Sequence, residues 1–360
     1  MSQEPAESNF FKDKKVLITG NTGFKGYWLE IFLLQLGAEV YGVSLGSNKN
    51  SNLKANKIKK QYYLDIVDFN ILKTVFNEVK PDLVYHLAAN AITLNSYEKP
   101  LETFQTTTMG TINLLEVLRL YDKKCDAIII TSDKCYENKE WIWGYRENDR
   151  LGGKDPYSAS KTMCEIAVKS YFESFFSKTQ QIKIATCRAG NVIGGNDWGE
   201  KRIVPDTIRA WNNKVSLKIR NPESIRPWNY VLDIIYGYLS VACNLEQKQV
   251  NGESFNFGPG QASFISVRAL TKLMWEFWPE RDFEPFLIES DGEGPLEHKL
   301  LKLYSDKSFN LLKWKPKIIT DKSLMETVEW YIHYNRKGES VQIYSENLVK
   351  NYLNLSAQES

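Results

Sequence analysis

The chain has 360 residues, 42% of them apolar and 25% charged, and its 46 Lys and Arg against 44 Asp and Glu leave a formal charge of +2. That balance supplies no field to draw it to nucleic acid or anionic lipid, and no apolar run approaches the ~20 residues of a membrane span. Five scattered cysteines (Cys125, Cys135, Cys164, Cys187, Cys243) without a CxxC pair, and three separated histidines (His86, His298, His333), argue against a disulfide scaffold and against a metal centre.

The polar, acidic opening MSQEPAESNFFKDKK is unlike a signal peptide, so a cytoplasmic enzyme is expected. Lys15–Thr19 reads as a buried strand and residues 26–37 as the helix after it. Strands follow at 39–43 and 61–64, then a helix at 71–79 and a strand at 83–87. Residues 106–121 read as a helix, 127–131 as an almost wholly apolar strand, 157–176 as a long helix and 184–188 as another strand. Strands apolar on both faces, separated by helices, predict an α/β fold with a Rossmann-type, doubly wound parallel sheet. Residues 1–187 are expected to form a dinucleotide-binding domain. Residues 188–350 are expected to form mainly a smaller C-terminal substrate-binding lobe, with strands near 229–257 returning to the sheet and 351–360 as a tail.

Gly20-Asn21-Thr22-Gly23-Phe24-Lys25-Gly26 joins the first strand to the first helix. Glycines there let backbone amides approach a pyrophosphate at the positive helix N-terminus, which predicts a dinucleotide site. The bland alternative is a tight turn needing glycine only for packing. Tyr157-Ser158-Ala159-Ser160-Lys161 places a phenol and an ammonium one helical turn apart, so Lys161 is expected to favour the Tyr157 phenolate and let it act as a general base. Alone, such a pair is more often a solvated helix face. The end of the second strand carries Ser44, where an acidic side chain would select NAD by its ribose hydroxyl. With Ser44 neutral, Lys25, Lys49 and Lys54 are candidates for a 2′-phosphate, so NAD is expected and NADP stays open. Ser132-Asp133-Lys134 follows the strand at 127–131, where a doubly wound sheet faces its ligand. Taken alone, Asp133 and Lys134 equally fit a self-neutralising surface pair.

The Gly-x-x-Gly-x-x-Gly loop and Tyr-x-x-x-Lys element resemble extended short-chain dehydrogenase/reductases. With His86-Leu87-Ala88-Ala89, Thr131-Ser132-Asp133-Lys134-Cys135-Tyr136, Arg188-Ala189-Gly190-Asn191, Asp197-Trp198, Arg202-Ile203-Val204-Pro205-Asp206 and Arg226-Pro227-Trp228, the chain resembles nucleotide-sugar 4,6-dehydratases. The Asp-Lys dyad directs the likeness to those acting on CDP-glucose, whereas dTDP-glucose relatives carry Asp-Glu. Lys299-Leu300-Leu301-Lys302-Leu303 extends the likeness toward the C-terminus. Asn90 departs from the family's Gln, and Gly194-Gly195-Asn196-Asp197-Trp198 from its commoner Gly-Gly-Gly-Asp-Trp.

The resemblance implies an NAD-dependent lyase of deoxysugar biosynthesis, of the kind that serves lipopolysaccharide O-antigen. Its implied catalytic residues are Ser132, Asp133, Lys134, Tyr157 and Lys161. Its implied cofactor contacts are Gly20, Thr22, Gly23, Phe24, Lys25, Gly26, Ser44, Asp65, Ile66, Leu87, Ala88 and Ala89, with Tyr157 and Lys161. Asn90, Asn191, Arg202 and Arg226 are implied to hold the nucleotide sugar. Lys134 occupies the place of the C5 base, yet an ammonium fits equally as electrostatic support for an enolate. A 4-epimerase or reductase needs Ser, Tyr and Lys but no acid to expel a hydroxyl, so Asp133 counts against it. Apolar residues on several faces of the helices at 106–121 and 157–176 predict a homodimer or tetramer.

Overall fold

The structure is a computed structural model and describes residues 6–46, 57–259, 264–289, 301–335 and 341–359. Six strands, with helices described between all but β2 and β3, run through the first half: β1 (Lys15–Thr19), β2 (Glu39–Ser44), β3 (Lys60–Tyr63), β4 (Leu83–His86), β5 (Cys125–Ile130) and β6 (Ile182–Ala189). With the strand Ser254–Phe257 they form one seven-stranded sheet in the order 254–257, β6, β5, β4, β1, β2, β3. Every neighbouring pair is parallel. The winding reverses between β1 and β4, and that switch point opens the crevice where such sheets hold ligands. The predicted doubly wound fold is therefore the observed one.

Successive side chains point to opposite faces of a strand, and each face has its own core. Leu17, Val84 and Ile129 pack with Leu72, Phe76, Leu114, Leu118 and Val168 from the helices on one face. Ile18, Tyr85 and Ile128 pack on the other with Trp28, Phe32, Ile235 and Leu239. Each such side chain contributes about 1.5–3 kcal/mol by leaving water, so both layers grip the sheet that carries the site.

Local signals explain the element ends. The helix Phe69–Val79 starts before the predicted residue 71 because Asp68 caps it, its carboxylate accepting from Ile71 N at 3.0 Å. Asp155 caps Pro156–Ser174 likewise, accepting from Ser158 N at 2.9 Å. The segment predicted as one helix from 106 to 121 is α-helical only over Gly110–Arg119, because Phe104–Met109 is wound as a π-helix. The later chain adds three two-stranded pairings: Val192–Ile193 with Asn229–Tyr230, Ile225–Pro227 with Phe264–Ser266, and Leu217–Ile219 with Phe286–Ile288.

Candidate active site

The glycine turn forms the floor of the crevice. Gly20 has φ +76°, and a Cβ there would lie 2.7 Å from the Ala88 backbone nitrogen. A Cβ on Gly26 would lie 2.4 Å from the Gly20 carbonyl oxygen. The turn closes only without side chains at those two positions. Gly23 is the N-cap of the helix Phe24–Gln35 and supplies no side-chain acceptor, so the first-turn amides receive no side-chain cap. A backbone cradle with open amide donors fits a pyrophosphate. Leu87 N donates to Thr19 O at 2.9 Å, which sets Leu87, Ala88 and Ala89 beside the turn.

At the end of β2, Ser44 Oγ donates to Gly46 O at 3.1 Å and accepts from Gln61 Nε2 at 3.1 Å. Thr22 Oγ1 donates to the same Gly46 carbonyl. Among the described residues, Thr22, Ser44 and Gln61 give this end of the crevice neutral groups. Asp65 is exposed and accepts from Val67 N, while Ile66 is buried against Gly110. Lys25 Nζ donates to Tyr238 Oη at 3.3 Å, within electrostatic range of Asp133, Lys161 and Arg202. Burial, then Lys161 and Arg202, bring its pKa down to about 8. Its side chain leaves the helix start toward the end of β5. Lys49, Lys54, Lys299 and Leu300 lie outside the described residues.

β5 delivers the candidate catalytic residues. Ser132 caps the short 3-10 turn Asp133–Cys135, accepting from Lys134 N at 3.3 Å and donating through Oγ to Asp133 Oδ1 at 2.9 Å. Asp133 is buried, which raises its carboxyl pKa; Lys134, Ser132 and Lys25 pull the other way. Its environment therefore favours the protonated acid. Tyr157 lies close enough for the Ser132 hydroxyl to act on its phenol, so phenol, hydroxyl and carboxyl share one buried cluster. The expected lowering of the Tyr157 pKa is not what the geometry gives. Burial pushes it up to about 12, and Lys161 Nζ is committed to Ile130 O at 3.0 Å. The ammonium is tethered to β5 and does not reach over to the phenol as the helix spacing predicted.

The remaining candidates ring this cluster. A Cβ on Gly190 would stand 3.2 Å from Asp133 Oδ2 and 3.4 Å from Asn229 Nδ2 and Pro227 Cγ, so the loop after β6 closes on the acid. Asn191 belongs to that loop, its carbonyl accepting from Asn229 N at 2.9 Å. Arg226 sits next to Pro227 and donates to Ile225 O. Arg202 reaches the cluster electrostatically, with its guanidinium on Asp197 at 2.9 and 3.1 Å and on Ala91 O at 3.2 Å. Asn90 is held from behind: its N donates to Thr107 Oγ1 and its Nδ2 to Thr103 Oγ1. His86 lies between Thr19 and Thr111, and burial takes its pKa down to about 3, so it is a neutral structural link. Among the described residues no group of His, Cys, Asp and Glu could hold a metal.

Sequence reasoning missed two members of this neighbourhood. Glu165 and Arg188 form a buried ion pair at 2.8 Å beneath the Ser132–Asp133 turn. Glu165 lies four residues after Lys161, on the same face of its helix. That spacing was the available signal.

A family model described as GDP-mannose 4,6 dehydratase matches residues 17–327. A CDP-glucose 4,6-dehydratase of Salmonella typhimurium is 38% identical over 362 residues, covering 98% of this chain and 99% of that protein. Among solved structures, a UDP-glucose 4-epimerase of Thermotoga maritima with UDP-glucose is 25% identical with a TM-score of 0.76, covering 88% of this chain and 98% of that one. A dTDP-glucose 4,6-dehydratase of Bacillus anthracis in complex with NAD shares the fold at 19% identity and a TM-score of 0.73, covering 91% of this chain and 99% of that one.

Proposed function

The chain belongs to the GDP-mannose 4,6-dehydratase family, and from that premise we propose that it converts CDP-D-glucose to CDP-4-dehydro-6-deoxy-D-glucose and water, a step of deoxysugar biosynthesis. The carrying observation is the buried cluster of Tyr157, Ser132 and Asp133, which sets a carboxyl whose pKa burial raises beside a hydroxyl and a phenol. The 38% identity to the Salmonella enzyme supports the cytidine nucleotide.

NAD fits the glycine cradle, and among the described residues Ser44 and Gln61 give the end of β2 neutral hydrogen-bonding groups. When bound, its nicotinamide takes the C4 hydride and returns it to C6, so it is unchanged over a turnover. Tyr157, entering as its phenolate although burial holds its pKa up at about 12, accepts the O4 proton as C4–H leaves, and Ser132 holds the same oxygen by a hydrogen bond. The C4 ketone acidifies C5–H. As a base takes the C5 proton, that electron pair forms the C5–C6 double bond and the C6–O bond breaks. Asp133 gives its proton to the departing hydroxyl, which leaves as water. Hydride then enters C6 and a proton re-enters C5, while the proton taken from O4 resets Asp133. Lys134 has two roles open to it, as the C5 base or as the positive charge that supports the enolate. Arg202, Arg226 and Asn191 would take the diphosphate.

Residues 1–187 would then hold the cofactor and most of 188–350 the substrate. Met109, Met163, Ile166 and Phe175 are exposed apolar residues on or beside the helices Gly110–Arg119 and Pro156–Ser174, and they support assembly as a homodimer or tetramer. No helix among the described residues is long and apolar enough to cross a membrane. Incubation with CDP-, dTDP-, GDP- and UDP-glucose tests the reading. Loss of one water from CDP-glucose is expected by mass spectrometry, and exclusive conversion of another nucleotide sugar would overturn the assignment.

A further inference from the structure

The turn that carries Ser132, Asp133 and Lys134 is gripped at both ends by one ion pair. At its start, Thr131 Oγ1 donates to Glu165 Oε1 in a short hydrogen bond. At its end, Arg188 Nη1 donates to Tyr136 Oη at 2.7 Å, and the guanidinium lies over the Tyr136 ring with its carbon 4.9 Å from the centroid. The pair itself is bidentate, Arg188 Nε to Glu165 Oε1 at 3.0 Å and Nη2 to Oε2 at 2.8 Å. Both side chains are almost fully buried, at 3% and 2% exposure.

The valences around the pair are filled. Arg188 also donates to Glu147 O and Ser254 Oγ, so all five N–H groups of the fork have partners. Glu165 also accepts from Thr186 and Ser254. Such a pair is a poor device for stability, because desolvating two charges offsets their attraction and an apolar pair of similar volume often does as well. What an apolar pair cannot supply is the directed hold on Thr131 and Tyr136. Glu165 also lies on the helix face that carries Tyr157 and Lys161, at successive intervals of four residues. The phenol, its lysine and the clamp on the acid turn therefore move as one body.

We propose that Glu165 and Arg188 are positioning residues that hold the Asp133 turn in register with Tyr157, and that they govern the elimination step more than the first hydride transfer. This rests on the dehydratase reading above. In Glu165→Gln the shape is kept and the charge is lost. Single-turnover mixing of NAD-loaded protein with CDP-glucose should then show reduced nicotinamide forming at close to the wild-type rate, while loss of water slows about 10- to 100-fold, the cost of a small misplacement of a reacting group. Reduced cofactor should accumulate where wild type shows little. Glu165→Met/Arg188→Met should recover the melting temperature of wild type and keep the elimination defect.

Amide hydrogen exchange separates the clamp from the reaction it is assigned to. Lys134, Cys135 and Tyr136 amides should exchange at least ~10-fold faster in Glu165→Gln than in wild type, with the sheet unchanged. Unchanged exchange there, elimination at the wild-type rate, or recovery of elimination together with stability in the double variant would each overturn the proposal. A wild-type protein that dehydrates no nucleotide sugar, yet shows the faster exchange in the variant, would sink the functional reading and leave the clamp standing.

Discussion

Asp133→Asn separates what the acid contributes to chemistry from what it costs the fold. The asparagine amide oxygen can still accept the Ser132 Oγ hydrogen bond made at 2.9 Å, and the Lys134 N to Ser132 Oγ contact does not involve the side chain that changes. The turn should therefore keep its shape. The transferable proton is lost, and a general acid is worth roughly 100- to 10,000-fold, or about 2.7–5.4 kcal/mol of barrier. Single-turnover mixing with CDP-glucose should show normal formation of reduced nicotinamide and water loss slowed by that factor. Stability should move the other way. Burial raises the Asp133 pKa above its unfolded value, so the charged form is penalised in the folded state at pH above the folded pKa. The penalty fades as pH falls through the folded pKa and is absent below the unfolded one, near about 3.9. The variant should thus melt above wild type at neutral pH, with the gap closing toward acid. Dehydration at the wild-type rate would remove Asp133 as the acid, and a gap that widens toward acid would refute the electrostatic account.

Tyr157→Phe should suppress the first hydride transfer at least ~100-fold, so no reduced cofactor should appear on mixing with substrate. Lys25, with its pKa brought down to about 8, loses its proton as pH rises through that value. Lys25→Met should therefore melt above wild type below that pH, with the gap closing as pH rises toward the free lysine value. Ser44→Asp places a carboxylate where a 2′-phosphate would lie, and reactivation of stripped protein by NADP should drop at least ~10-fold relative to NAD. Ile166→Arg puts a charge on a residue 56% exposed in the single chain, and light scattering should show the assembled species reduced to monomers.

The fold was legible because its signals are local and repeated. Alternating apolar strands and capped helices fix a parallel sheet, and a glycine turn directly after the first strand marks its crevice. The Tyr157–Lys161 spacing and the Ser132-Asp133-Lys134 string could be read for the same reason, since each lies within one turn or one strand end. The behaviour of those residues was not legible. Whether Lys161 faces the phenol or the Ile130 carbonyl depends on where β5 lies relative to the helix, which no spacing encodes. Lys25 looked like a loop lysine near a phosphate, and only the packing of Tyr238 from a helix more than two hundred residues later gives it its direction. Arg188 stood in a recognisable motif, but its partner is set by the β5–β6 register and by Glu165 beneath it.

The π-helical turn at Phe104–Met109 bears on how the substrate end can change over evolutionary time. Thr103 and Thr107, at the two sides of the change in winding, both bond Asn90, while Thr111 continues in the α-helix. Deleting a single residue there would rewind the segment as α-helix with its flanking turns nearly in place, while changing which residues of the segment face Asn90. Chains of this lineage that differ in length by one at this place should therefore hold the loop after β4 by a different residue. A one-residue gap can retune a pocket without any exchange of a side chain in it.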